Sequence, residues 1–351
     1  MEQNVHIIVL NWNGWRDTIE CLESLLHLEY PNHTVVVCDN ASSDDSVSKI
    51  AGWADGLVLA ESTNPQLSRL VSGPYQKPIP YFELTREQAE SGLGDSGAKV
   101  ILIRNEVNLG FAGGNNVGLR FALANPNCQF CWILNNDTVV EPDSLSAMVR
   151  LIQKQSDVGL CGSLNLDYRN PKEVQAQGGM PYNRWTGRVP RLTRRSVDDL
   201  DFYLPRMDYV NGASMLASRT FLEKIGLMEE SYFLYFEELD WAMRAKGKFV
   251  LGYARNSVIY HKQGSTIGSS RDRRKRSLLS EQYLSRNRVL FTRRFLPWAL
   301  PTVLLSVCFA AAERLCRGDA KRATAMLSFM LRGLIARIPR TAESSHAAIQ
   351  I

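Results

Sequence analysis

The stretch Trp132-Ile133-Leu134-Asn135-Asn136-Asp137-Thr138 sets an apolar run against a cluster of oxygen ligands. A buried strand ending on a carboxylate is one way that α/β proteins deliver a metal-binding group to the mouth of a sheet. Asp137 can bind a hard divalent cation of the kind that bridges the phosphates of a nucleotide. The same residue types also cap helices and make turns, and the segment alone divides about evenly between the two readings. A second group is Glu237-Glu238-Leu239-Asp240, three acids in four positions after the aromatic run Phe233-Leu234-Tyr235-Phe236. In a helix Glu237 and Asp240 share one face, and Glu238 projects elsewhere. A carboxylate held against aromatic residues gains the basicity that a general base needs, although an acidic helix start also follows from the helix dipole. His261, taken alone, reads as a structural histidine before it reads as a metal ligand.

These groups need elements to position them. Residues 5–10 are a short apolar run, a good buried strand, and it stops at the polar turn Asn11-Trp12-Asn13-Gly14. A helix follows, with Asp17 near its start and Cys21, Leu22, Leu25 and Leu26 at helical spacing. A second strand over 34–38 ends on Asp39 and Asn40. Ligands bind beyond the carboxyl ends of strands in open parallel sheets, and a carboxylate there can accept hydrogen bonds from a ribose hydroxyl or a base N–H. Residues 108–118, Asn-Leu-Gly-Phe-Ala-Gly-Gly-Asn-Asn-Val-Gly, follow a strand over 99–103 and open another helix. Glycines let a backbone approach a ligand, and a helix N-terminus favours anions. The segment is neither GxGxxG nor a Walker loop.

Together the segments VHIIVLNWNG, VVVCDNASSDDS, NLGFAGGNNVG, WILNNDT, VNGASMLASR, YFEELDWAMRAKG and YHKQGST resemble the family 2 glycosyltransferases, inverting enzymes with the GT-A fold. The resemblance spans roughly residues 5–270 and is strongest to the rhamnosyltransferase-like branch of bacterial cell-surface polysaccharide synthesis. It implies that Asn11 and Asp39 hold the base and ribose of a nucleotide-diphosphate sugar, that Asn108, Gly110 and Asn115 line the donor pocket, and that Leu10, Asn40 and Asn136 also belong to the nucleotide-sugar site. It places Asn135-Asn136-Asp137 at the family's metal-binding DxD motif, with Asp137 carrying most of the binding to Mg²⁺ or Mn²⁺. Asn135 departs from the acidic pattern and would offer a carbonyl oxygen instead. Glu238 matches the catalytic base, usually an Asp, and His261 matches a histidine that completes the metal site in some relatives.

The composition fits a mainly soluble enzyme: 351 residues, 45% hydrophobic, seven scattered cysteines and a net charge of +5. Cys128 and Cys131 form a lone CxxC pair and read as core residues. The first apolar run is too short for a signal peptide and lacks a basic flank. Residues 61–98, with Pro74, Pro78 and Pro80 close together, read as a loop or insert. After a basic block over 271–276, residues 295–312 carry no charge and include Trp298, while Pro297 and Pro301 would break the start of a spanning helix. Leu327, Met330, Leu331, Leu334 and Ile338 then form a helical stripe.

The expectation is an α/β GT-A domain over 1–270, a mixed and mainly parallel sheet between helices. A C-terminal helical appendage over 271–351 would either insert at an anionic membrane surface or pack on the enzyme or on a second copy of the chain. The expected reaction is metal-dependent inverting transfer of a sugar to a hydroxyl of a glycan or lipid-linked glycan. Rhamnose from dTDP-rhamnose is the favoured donor, and the site is expected at the cytoplasmic face of the inner membrane. The alternatives are a sugar nucleotidyltransferase, whose triphosphate-binding basic loop is missing at Asn11-Trp12-Asn13-Gly14, and a non-catalytic protein with the same fold. Nucleic acid is not an expected partner, since the charge excess is small and aromatics do not interleave with the basic residues.

Overall fold

A computed structural model describes residues 3–73, 75–92, 97–190, 196–202, 206–264 and 277–337. The chain runs β1 (Asn4–Asn11), α1 (Trp15–Leu26), β2 (His33–Asp39), α2 (Ser46–Ala54), β3 (Tyr81–Thr85), α3 (Arg86–Glu90), β4 (Val100–Arg104), α4 (Gly110–Ala124), β5 (Cys128–Asn135) and β6 (Thr138–Val140). It continues through α5 (Ser144–Lys154), β7 (Val158–Asp167), β8 (Val174–Gln177), β9 (Gly179–Met180), β10 (Tyr209–Val210), β11 (Ser214–Ser218), α6 (Arg219–Ile225), α7 (Glu237–Ala245) and β12 (Val250–His261). It ends in α8 (Leu278–Phe295), α9 (Leu300–Cys316) and α10 (Ala320–Ile335).

The strands join one sheet in the order β10-β9-β8-β7-β11-β5-β1-β2-β4-β3. From β3 to β5 every pairing is parallel, and β11 then runs antiparallel between β5 and β7. The central strands are apolar throughout because helices cover both faces. Alternation sends Ile7, Val9, Val35 and Val37 into one core, with α1 and Trp132, and Ile8, Val36 and Cys38 into the other, with α4. Each fully buried side chain of this kind stabilises the fold by roughly 1.5–3 kcal/mol. The register sets Asn11 beside Asp39 and Leu10 beside Asn135, so the polar ends of β1, β2 and β5 meet at one edge.

Two expectations are corrected here. The 61–98 segment is more than a loop: it supplies the parallel edge strand β3 and the helix α3, which Thr85 opens with a capping box. Pro297 and Pro301 do not break a helix; they fall in a 3₁₀ turn and in the first turn of α9, where a missing N–H costs little. The C-terminal helices pack on the sheet domain, one of the expected alternatives. Leu290 and Phe291 of α8, with Leu296, Ala299 and Val303, share a core with Tyr182, Tyr232 and Leu239. Val289, Val307 and Met330 seal α8, α9 and α10 together. The basic block over 271–276 and Ile338 lie outside the described residues.

Candidate active site

β5 ends at Asn135, and two residues later β6 turns the chain to pair with the end of β12, Thr138 opposite His261. That pairing brings Asp137 Oδ1 to 3.2 Å from His261 Nε2. Asn135 Nδ2 lies 3.4 Å from the same nitrogen, and a half-turn of the amide would put its oxygen there. Gln175 explains the imidazole. Its Nε2 donates to Asp167 Oδ2 and to the His261 carbonyl, both at 2.9 Å, so its Oε1 can only accept from His261 Nδ1, at 3.0 Å. With the proton on Nδ1, a neutral His261 aims the lone pair of Nε2 at a carboxylate. Two acceptors face each other there, an arrangement that suits a shared cation, and a metal-bound histidine usually donates its other N–H in this way. A spacing of 3.2 Å is close to that of two ligands about 2.1 Å from one ion. The donor set of carboxylate, imidazole and amide oxygen therefore fits a divalent cation, although among the described residues no three His, Cys, Asp or Glu side chains converge on one point. Burial alone would raise the Asp137 carboxyl; when His261 is instead protonated, its charge and its Nε2–H, together with Lys262, hold that carboxyl below its ordinary value, so a proton and a cation compete for the same gap. Lys262 is itself fixed by Asp17 and Glu20, each at 2.5 Å.

At the β1–β2 edge, Asp39 is buried and occupied on both oxygens. Asn11 Nδ2 and Ser42 Oγ donate to Oδ1 at 2.7 and 2.6 Å, and the Ser42 amide donates to Oδ2 at 3.0 Å. Thr18 Oγ1 donates to Asn11 Oδ1 at 2.7 Å and accepts from Asn136 Nδ2 at 2.9 Å. One polar chain thus joins Asp39, Asn11 and Asn136. Sequence reading missed Thr18, Ser42 and Gln175, whose residue types carry no special signal.

The glycine-rich segment behaves differently from the sequence expectation. The first amides of α4 are not open to an anion: Gly110 N donates to Asn108 Oδ1 at 2.9 Å, Phe111 N to the Phe233 carbonyl at 2.7 Å, and Leu109 N to Asn40 Oδ1 at 3.0 Å. Asn40 also donates to Asn108 Oδ1 and to the Gly110 carbonyl. Asn115 is buried and donates to the Phe111 carbonyl at 2.9 Å. Asn108, Gly110 and Asn40 therefore tie the β2 end to the Phe233 loop.

That loop leads into α7. As expected, Glu237 and Asp240 face inward and are buried, and Glu238 points elsewhere, half-buried against Gly212. A Cβ on Gly212 would lie 2.1 Å from Glu238 Oε1, so a side chain there would push the carboxyl aside. Next to Gly212, the Ala213 carbonyl accepts from the Asn135 amide at 3.1 Å, so the segment that Glu238 packs against is bonded to the end of β5. Burial raises the Glu238 carboxyl to about 7. Burial, then the neighbouring Glu238 charge, lifts Glu237 well above the carboxylate range. Asp240 is held by Arg244 at 2.7 Å and Arg294 at 2.6 Å, a structural ion pair rather than a base.

The sheet and its covering helices define the fold class. The architecture is the GT-A fold, a mostly parallel central sheet with added C-terminal helices. Residues 83–220 match the family model described as Glycosyl transferase family 2. The chain is similar to the low-salt glycan biosynthesis hexosyltransferase Agl10 of Haloferax volcanii, 24% identical over 225 residues, and the match covers 60% of this chain and 61% of that protein. A solved mannosyltransferase of Pyrobaculum calidifontis, in complex with GDP-Man and Mn²⁺, superposes with a TM-score of 0.50 at 16% identity, over 95% of this chain and 88% of its own. S. aureus TarS 1–349, in complex with UDP-GlcNAc, also gives 0.50, at 14% identity over 96% and 82%.

Proposed function

We propose that the chain is an inverting, metal-dependent glycosyltransferase that moves a sugar from a nucleotide-diphosphate donor to an acceptor hydroxyl. The observation that carries this reading is Glu238, a carboxyl poised near neutrality, packed on Gly212, whose neighbour Ala213 is hydrogen-bonded to Asn135. Glu238 takes the proton of the acceptor hydroxyl as its oxygen attacks the anomeric carbon. The bond to the diphosphate breaks with its electron pair on the leaving oxygen, and a single displacement inverts the centre. A divalent cation held by Asp137, His261 and the Asn135 amide oxygen would neutralise charge on the diphosphate. Leu10, Asn11, Asp39 and Asn136 form the floor on which base and ribose rest, and Asn40, Asn108, Gly110 and Asn115 fix the loop beside it.

The donor we favour is dTDP-rhamnose, on the motif resemblance, with a glycan or lipid-linked glycan as acceptor. We place the protein on the inner face of the cytoplasmic membrane. Among the described residues one helical stretch, Pro297–Cys316, is long and apolar enough to cross a membrane, and its side facing away from α8 carries Leu305 and Phe309. The test is a panel of dTDP-rhamnose, GDP-mannose and UDP-N-acetylglucosamine with Mn²⁺, read as a rise in melting temperature and as release of nucleoside diphosphate. Pyrophosphate release would instead identify a nucleotidyltransferase.

A further inference from the structure

Helix α8 lies along residues 229–240 and touches them at successive turns. Ser280 Oγ meets Tyr235 OH at 2.9 Å, and the Tyr283 ring stacks on Phe233 with centroids 5.0 Å apart. Asn287, fully buried, donates from Nδ2 to the carbonyls of Tyr232 and Leu234 at 2.8 Å and of Tyr235 at 3.1 Å. Its Oδ1 accepts from Arg286 Nη1 at 2.7 Å, which fixes the orientation of the amide. Arg294 reaches Asp240 Oδ2 at 2.6 Å and Glu229 Oε2 at 3.3 Å. Positions 280, 283, 287 and 294 recur at helical spacing, so one face of α8 makes all these contacts. The held segment is strained: Phe233, Tyr235 and Phe236 have φ of 65°, 67° and 79°, where bulky side chains are rare. Strain of this kind persists only where surrounding contacts over-determine it. Glu237 and Glu238 follow directly and form the first turn of α7.

We propose that Asn287 is a positioning residue for sugar transfer: it locks the left-handed turn at 233–236 so that α7 begins with Glu238 facing Gly212. The proposal rests on the reading of Glu238 as the base. A group that only stabilises the fold would lower activity by the same factor whether or not the base is present. A group that acts by placing Glu238 loses its effect once that carboxylate is gone.

The full-length protein is therefore compared as wild type, Asn287→Ala, Glu238→Gln and the double variant. Turnover is read as nucleoside diphosphate release from whichever nucleotide sugar of the panel supports it. The expected result is a kcat about 10–100-fold lower for Asn287→Ala, with donor KM within about twofold, as for a small displacement of a catalytic group. In the Glu238→Gln background the same substitution should cost almost nothing. Amide hydrogen exchange over 232–240 should quicken while β1 and β5 stay protected. An equal fold-loss in both backgrounds, or an unchanged kcat, overturns the proposal. A Glu238→Gln protein with intact turnover overturns instead the assignment of the base, a result that the single variant reveals by itself. Should Asn287→Ala not fold, Tyr283→Leu, which removes the stack on Phe233, is taken through the same cycle with the same deciding outcomes.

Discussion

The two adjacent carboxyls of α7 divide their roles by environment. Glu237 is buried, its Oε2 has no hydrogen-bond partner among the described residues, and the Glu238 charge beside it favours the neutral form. Glu238 keeps a path to solvent and titrates near 7, so it carries the charge of the pair at neutral pH. Turnover should rise as pH increases through about 7, the folded value of Glu238. Glu238→Gln should lose roughly 10²–10⁴-fold in kcat while still binding the donor nucleotide, and Glu237→Gln should be milder. If the phenotypes are exchanged, the assignment within the pair is wrong. Stability should move the opposite way. A carboxyl whose folded pKa lies above its unfolded one contributes stability below the unfolded value and loses it as pH rises through the folded value. That window runs from 4.5 to about 7 for Glu238. The Gln variant should thus melt above the wild type at pH 8, and the gap should close towards pH 5. At the Asn135–Asp137–His261 cluster, Gln175→Leu removes the acceptor that sets the His261 tautomer. Mn²⁺ affinity, measured by calorimetry, should fall about 10–100-fold, as for other outer-shell partners, and an unchanged affinity would detach Gln175 from the site.

Elements were legible in the sequence to the extent that their burial is two-sided. β1, β2 and β5 read as strands because every position faces a helix-covered core, and α7 reads as a helix with Glu238 off its buried face. β3 escaped because an edge strand need not be apolar: Phe82 and Glu83 are exposed, Tyr81 is half-buried, and only Leu84 is buried. The glycines of 108–118 were legible as a motif but not as packing. A Cβ on Gly114 would lie 2.4 Å from Leu10 Cδ1, so this glycine lets α4 approach β1 rather than admitting a phosphate. Gln175 and Asn287 were not legible at all. They act across 86 and 52 residues on His261 and Tyr235, and amides at such separations carry no pattern. Gly212 stands between these cases, visible within VNGASMLASR but without a reason until Glu238 is seen against it. Gly212→Ala should force that side chain aside. Loss of turnover with unchanged nucleotide binding is the expected outcome, and full activity would mean that the contact is relaxed at no cost.

At the scale of the whole molecule, the C-terminal helices have one face packed on the sheet domain and one face exposed. The inner faces complete a shared core, and several arginines of these helices are engaged there. Arg294 binds Asp240, Arg293 donates to the carbonyls of Gly333 and Ala336, and Arg314 pairs with Glu281. Truncation before Phe295 would strip Leu296, Ala299 and Val303 from the core they share with Tyr232 and Leu239, so the shortened protein should aggregate rather than keep a working donor site. Truncation is therefore a poor test of membrane binding. The outer face of α9 is a better one, because Leu305 is 67% and Phe309 81% exposed, beside the Trp185–Trp298 pair with ring centroids 4.7 Å apart. Tryptophans at the edge of an apolar helical face are suited to the boundary between headgroups and acyl chains. Leu305→Glu with Phe309→Glu should leave the melting temperature unchanged, since neither side chain supports the core. The same pair should abolish co-sedimentation with phosphatidylglycerol-containing vesicles. The part of wild-type binding that apolar insertion supplies should persist as salt rises, because screening weakens exposed charges but not apolar insertion. Equal recovery of variant and wild type on vesicles would remove the membrane from the reading and leave the α9 face for a protein partner.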